Sequence, residues 1–371
     1  MRFTFTDEQR DFRSMLQKFL GARSPTTEVR KLMETEAGFD RANWQKLNEE
    51  LGLTAVHIPE TYGGQGFGYV ELGIVLEEMG RTLLCAPYFS SVVLAATTIL
   101  NAGTEQQKQA LLPGIASGET TATLAYLETS GQWDGRDVAA TATGSGNAYK
   151  LSGVKTYVVD GHTADLIVVL AKAPEGLSFF TLRGDAKGLT RTPLKTMDAT
   201  RKLARLAFDN VDAAPLGKPG GAAEPLAKTL TLAAICLANE MVGGAERLRE
   251  TSLDYAKMRM QFGKPIASFQ SMKHKQADML IDAELAKSAA YYAAAAADDN
   301  TDDLAMVASL AKACASDAYL QMAIHAIQIR GGIGFTWDED THLWFKRAKS
   351  SEIMLGDATY HRELMMQHLA S

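Results

Sequence analysis

A chain of 371 residues, 46% hydrophobic and 22% charged, is too long for one simple core and has apolar surface for two or three. Its net charge of −6, with no basic block, argues against nucleic acid as a partner. No uninterrupted apolar run reaches the roughly 18 residues that span a bilayer, so no membrane partner is expected. The opening MRFTFTDEQRDFRS holds no apolar signal segment, which predicts a cytoplasmic location. The cysteines Cys85, Cys236 and Cys314 lie too far apart for a metal or redox motif and read as small buried hydrophobes.

The first third reads as successive helices. Thr6-Asp7-Glu8-Gln9 has the form of a capping box, and Phe12, Met15, Leu16 and Phe19 follow at helical spacing. Asp40 is placed to cap a second helix carrying Trp44, Leu47 and Leu51. Pro59 with Gly63, Gly64, Gly66 and Gly68 demands a sharply bent loop before a helix that starts near Tyr69. A further helix holds Val92, Val93, Ala96 and Ile99. A second capping box, Thr104 to Gln107, opens a short helix that ends at Pro113-Gly114.

From about residue 121 to 209 the pattern changes. Short runs rich in Val, Thr, Tyr, Phe and Leu (TATLAYL, YKLSGVKTYVV, DLIVVLA, LSFFTL, LARLAFDNV) alternate with turn sequences such as Gly144-Ser145-Gly146-Asn147 and Asp160-Gly161. Strands without intervening helices predict an antiparallel sandwich or barrel. No GxGxxG follows a strand, so no Rossmann nucleotide site is indicated. GKPGGAAEP marks a boundary, beyond which helices are predicted over 225–258, 268–297, 302–330, 338–349 and 352–369. The predicted architecture is α+β: an N-terminal all-α domain (1–118), a middle β-sandwich or barrel (119–218) and a C-terminal bundle of about four helices (219–371). A cleft where three such domains meet is a favoured cofactor site.

Three places look chemical. Glu240 has Cys236, Leu237, Gly243 and Gly244 as its neighbours on one helix face. Two glycines inside a helix cost about 1 kcal/mol each relative to alanine, and the hollow they leave could admit a flat ligand. A carboxyl in an apolar hollow has a raised pKa, which suits a base that removes a weakly acidic proton. The alternative is a helix glutamate paired with a lysine or arginine, its glycines serving only close packing. Arg259, with Gln261, Phe262, Gly263, Pro265 and Gln270, fits a phosphate clasp, or equally a basic helix end before a plain proline turn. The run from Gln328 to Phe335, with Gly331, Gly332 and Gly334, lets backbone approach a ligand, or simply stops a helix. His274 with Asp278, and His325, read as polar contacts of the bundle, and no metal site is expected.

Together these motifs resemble the acyl-CoA dehydrogenase family along nearly the whole chain. The resemblance is carried by FTFTDEQRDF, GLTAVHIPETYGGQGFGYVELGIVLEEMGR, GTEQQKQALLPGIASGE, YKLSGVKTYVVDGHTADLIVVLA, YAKMRMQFGKPIASFQSMKHKQADM and QIRGGIGFTWDEDTHLWFKRAK. RxxFGxPIxxFQ and QxxGGxGF at this separation are highly specific. The resemblance implies an N-terminal helical domain, a β domain and a C-terminal four-helix bundle, with FAD bound across a subunit interface. It implies oxidation of an acyl-CoA thioester to its α,β-enoyl product: a carboxylate takes the α-proton and hydride leaves the β-carbon for flavin N5. Arg259, Gln261 and Phe262, joined by Gln270, Gln328, Gly331 and Gly332, would then hold the pyrophosphate and adenine end of a neighbour's FAD. The implied partners are an electron-transfer flavoprotein or similar acceptor, within a homotetramer or an α2β2 heterotetramer.

Two departures qualify the resemblance. Many members carry the base as Glu-Gly near the C-terminus, whereas KSSEIMLGDATYHRE has Leu355-Gly356 there and Glu352 one turn earlier. Glu240 fits the substitute that some relatives, including steroid-degrading ones, place on the first bundle helix. In the β domain the flavin loop reads Tyr126 to Asp134, and the stretch facing the isoalloxazine reads Tyr157-Val158-Val159, which leaves no hydroxyl at Val159. The pyrophosphate half of the site is thus better provided for than the ring half. That asymmetry suggests an α2β2 assembly acting on steroid or other bulky acyl-CoA substrates. The alternatives are a non-catalytic partner that completes a neighbour's FAD site, and a flavin oxidase or monooxygenase of the same fold.

Overall fold

Side-chain caps fix where the early helices begin in the computed structural model, which describes residues 5–370; Phe3 and Thr4 of the opening motif lie outside them. Helix α1 (Asp7–Arg23) starts at a complete capping box, with Gln9 N–H donating to Thr6 Oγ1 and Thr6 N–H to Gln9 Oε1. After α2 (Thr26–Glu34), Asp40 caps α3 (Arg41–Leu51) by accepting from Asn43 N–H at 2.7 Å, and Gly52 closes it in the left-handed region. Helix α4 (Tyr69–Thr82) starts where the glycine-rich loop ends. The helix expected around Val92–Ile99 is a buried π-helical turn, Phe89–Ala96, that runs into α5 (Thr97–Ala102). Helix α6 (Glu105–Ala116) has the expected Thr104–Gln107 box but continues through Pro113, one turn further than the sequence suggested.

Seven strands follow: β1 (Ala122–Ala125), β2 (Thr141–Ser145), β3 (Ala148–Val159), β4 (Leu166–Ala173), β5 (Gly176–Arg183), β6 (Leu189–Pro193) and β7 (Leu203–Leu216). Their pairings β4–β5, β5–β7, β7–β3, β3–β2 and β2–β4 form a closed ring, so the sheet is a barrel. It is mixed rather than wholly antiparallel, because β1 and β2 both run parallel to β4. Its core includes Tyr149, Leu151, Val169, Phe180 and Leu206.

Helix α7 (Ala223–Met258) leads, through the hairpin strands β8 (Met260–Gln261) and β9 (Lys264–Pro265), into α8 (Gln270–Asp299) and α9 (Leu304–Arg330). Helices α10 (Thr341–Ile353) and α11 (Ala358–Ala370) complete the chain, broken apart at Met354–Gly356. By length and composition α7 could cross a membrane, but 78% of its most apolar window is buried, as in a core helix. The chain divides into two compact units. The first comprises Met1–Arg30, Tyr69–Leu84 and Ala234–Ser371, the second Lys31–Gly68 and Cys85–Ala233. Most of α7 and all of α8–α11 thus belong with α1 and α4, whereas the barrel belongs with α3, α5 and α6.

Candidate functional site

Within the first unit, three helix ends meet at a corner. Helix α7 stops before Arg259, and Phe262-Gly263 turn the β8–β9 hairpin with φ of +50° and +74°, the pattern of a type I′ turn. Ile266 N–H donates to Arg259 O at 2.8 Å, and α8 then begins at Gln270 with no side-chain cap on its first N–H groups. The end of α9 is tied to the other two helices. Arg330 Nη1 donates to Ser252 Oγ at 3.2 Å on α7, and Lys275 Nζ on α8 donates to Gln328 Oε1 at 3.1 Å. The structure therefore gathers Arg259, Gln261, Phe262, Gln270, Gln328, Gly331 and Gly332 onto the linked ends of these helices.

This corner is open and unusually aromatic. Phe262 is 91% exposed, Phe335 78% and Trp337 62%. A Cβ built on Gly263, Gly331 or Gly332 meets nothing within 4 Å. Exposed rings of this size mark a surface that something else covers. An exposed guanidinium, free glycine backbone and an uncapped helix start suit a phosphate-bearing dinucleotide, so the residues fit FAD.

Glu240 lies elsewhere. Nineteen residues separate it from Arg259, about 28 Å at 1.5 Å per helical residue. Its side chain is 7% exposed, and Oε1 accepts from Arg347 Nη1 on α10 at 2.9 Å. The hollow expected beside it is filled. A Cβ on Gly243 would lie 1.7 Å from Glu77 O, one on Gly244 would lie 2.4 Å from the Tyr319 ring, and one on Gly80 would lie 1.9 Å from Glu240 O. The glycines let α4 and α7 touch backbone to backbone, and they make no room for a ligand. The hollow expected from these glycines is therefore not there, and the carboxylate is engaged by a buried guanidinium, which speaks for the helix-pairing alternative over a proton-abstracting base at Glu240.

The turn at Leu355-Gly356 is tightly held. Both residues have positive φ, +63° and +104°. Lys312, fully buried on α9, donates to Ser316 Oγ (3.0 Å), Glu352 O (3.1 Å) and Gly356 O (2.8 Å). His361 Nε2 lies 3.0 Å from Leu355 O. Burial pushes the Lys312 ammonium down to about 7, against the pull of Glu352 and Asp357. The carboxylate that the family pattern would place at position 355 is absent, and Glu352 pairs with Lys349 at 2.6 Å.

In the second unit, the bulge between Lys155 and Val158 turns Tyr157 outward at φ +56° and buries Val159. Lys155 is fully buried and donates to Glu128 Oε1 at 2.7 Å. Neither Lys155 nor Lys312 was singled out from sequence. Lys155 had a signal, because it shares the strand parity of the inward-facing Tyr149 and Leu151.

Comparison with known proteins agrees along the chain. Models of the acyl-CoA dehydrogenase N-terminal, middle and C-terminal domains match residues 6–119, 123–211 and 224–370. Acyl-CoA dehydrogenase IpdE2 of Mycobacterium tuberculosis is 33% identical over 349 residues, covering 94% of this chain and 93% of the relative. Among solved structures, the Tcur3481-Tcur3483 steroid ACAD superposes with a TM-score of 0.89 at 30% identity, covering 98% of this chain and 99% of that one. The ChsE4-ChsE5 complex of Mycobacterium tuberculosis gives 0.90 at 28% identity, covering 100% and 99%.

Proposed function

Because this chain belongs to the acyl-CoA dehydrogenase family of FAD-dependent enzymes, we propose that it dehydrogenates an acyl-CoA thioester as one member of an oligomer. In this reading the Arg259–Gln270 corner, with Gln328, Gly331 and Gly332, grips the dinucleotide end of an FAD that a second subunit also holds. FAD, when bound, supplies the acceptor for the hydride that leaves the β-carbon. Arg259 neutralises phosphate charge, Phe262 covers the nucleotide, and the backbone at Gly331 and Gly332 comes close to it. The observation that carries the reading is this corner, where the exposed Phe262 and Phe335 lie close in sequence to glycines with nothing built against them.

The second subunit is a related chain that carries the base. Leu355 stands where the family pattern places a carboxylate, and Glu240 is engaged by Arg347. The two-component name of the solved ChsE4-ChsE5 complex supports a heteromer, and the steroid relative supports a bulky acyl group. An electron-transfer flavoprotein or similar acceptor reoxidises the flavin, in the cytoplasm. The test is expression of the chain alone and together with a related subunit encoded beside it. The reading predicts acyl-CoA oxidation only by the joint assembly; full turnover by this chain alone contradicts it.

A further inference from the structure

In the second unit, α6 and the rim of the barrel border a cavity of about 410 Å³, within the roughly 300–1,000 Å³ of small-molecule sites. Ala110, Leu111 and Gly114 of α6 form an apolar wall. Across from it stand residues 163–166, where β3 turns into β4, with Arg183 and Arg191. None of the residues assigned to FAD lines this cavity. A Cβ on Gly184 would lie 2.1 Å from Ala164 O and 3.0 Å from Arg191 Nη1. Only a bare backbone here lets β5 end against both the turn and the guanidinium.

The charges around the cavity do not balance. Asp185 gives both carboxylate oxygens to Arg183, at 2.9 Å each, and Asp165 faces Arg41 at 3.4 Å. Arg191 is left over. It is half-buried, donates Nη1 to Ala164 O at 3.1 Å, and forms no ion pair among the described residues. The pull it exerts on Asp185 is secondary to that of Arg183. The Thr120 hydroxyl, lining the same cavity, makes no hydrogen bond among the described residues. A partly desolvated cation without a counter-ion is unfavourable until an anion joins it. A guanidinium and a hydroxyl beside an apolar wall suit an anionic head on an apolar body. The carboxylates of Asp165 and Asp185 on the rim disfavour a dianion. We propose that this cavity binds a short-chain monocarboxylate, its head on Arg191 assisted by Thr120 and its chain along Ala110 and Leu111. The site stands independently of the FAD reading.

The test titrates the full chain, in its assembly, with hexanoate and reads binding by ligand-observed NMR. Hexanol serves as the neutral analogue and inorganic phosphate as the competitor. Arg191→Gln removes the unpaired charge. Ala110→Glu sets a like charge against the ligand at an exposed position of α6, where substitution is well tolerated, and it decides the matter should Arg191→Gln not fold. The expected result is saturable hexanoate binding with a Kd of about 1 mM. Binding should be at least about tenfold weaker in each variant, and for hexanol in the wild type. Inorganic phosphate should leave hexanoate bound. The proposal is overturned if hexanoate shows no saturable binding, if hexanol binds as well, or if either folded variant binds hexanoate as the wild type does. Displacement of hexanoate by inorganic phosphate overturns the carboxylate preference and gives the site to oxoanions in general.

Discussion

The corner at Arg259 and the helix crossing at Glu240 are built from the same ingredients, glycines beside a charged side chain, and use them in opposite ways. At the corner, Cβ atoms added to Gly263, Gly331 and Gly332 would reach open space. At the crossing, Cβ atoms added to Gly80 and Gly243 would strike backbone oxygens at 1.9 and 1.7 Å. The first set of glycines makes room and the second removes it. A charge beside room is available to a ligand, whereas a charge beside close-packed backbone must find its partner inside the protein, as Glu240 does in Arg347.

The comparison can be broken most severely at the buried pair. Arg347→Met leaves Glu240 without its guanidinium and is expected to destabilise the fold by about 3–5 kcal/mol in chemical denaturation. The double variant Glu240→Leu with Arg347→Met should recover most of that loss; a double variant as unstable as the single would contradict the pairing argument. Next in size is Gly243→Ala, where the added methyl must displace α4. A loss of about 1–3 kcal/mol is expected, and a neutral result would mean that the crossing has slack.

Lys312 gives a pH test. In the unfolded chain a lysine keeps its proton to about pH 10, whereas the buried ammonium loses it above about 7. Between those values the unfolded state binds more protons, so stability rises with pH, by at most about 1.4 kcal/mol per unit. Lys312→Met should flatten that rise in urea titrations at pH 7, 8 and 9, and an unchanged slope would rule out Lys312 as its source. The smallest effect on the fold belongs to the corner. Arg259→Ala should leave the thermal midpoint of the FAD-free protein where it is while weakening FAD binding about tenfold or more. Equal loss of stability and affinity would show that the corner is packed rather than open.

Much of this was legible in the chain. Caps at Thr6, Asp40 and Thr104 announce their helices because each is made by hydrogen bonds within four residues, reciprocal at Thr6 and Thr104 and single at Asp40. The turn at Phe262-Gly263 and the helix ends around it were legible too, since they are set by nearby sequence. The environment of Glu240 was not. Gly243 meets Glu77, and Arg347 comes from α10, 107 residues away, so whether a glycine opens or closes space is decided by tertiary packing. The parallel pairing of β1 with β4 and the short strands β2 and β6 escaped for the same reason, because their partners rather than their composition define them. Pro113 inside α6 shows a local breaker overruled by the fold around it.

The most direct measurement is turnover of the assembled enzyme carrying Glu240→Gln, read beside its thermal midpoint. Loss of a catalytic base lowers turnover by about 10² to 10⁴. If Glu240 serves packing, turnover per folded assembly stays within about tenfold of wild type while the midpoint falls. A stable protein whose turnover collapses would return Glu240 to the chemistry and contradict the account given for it.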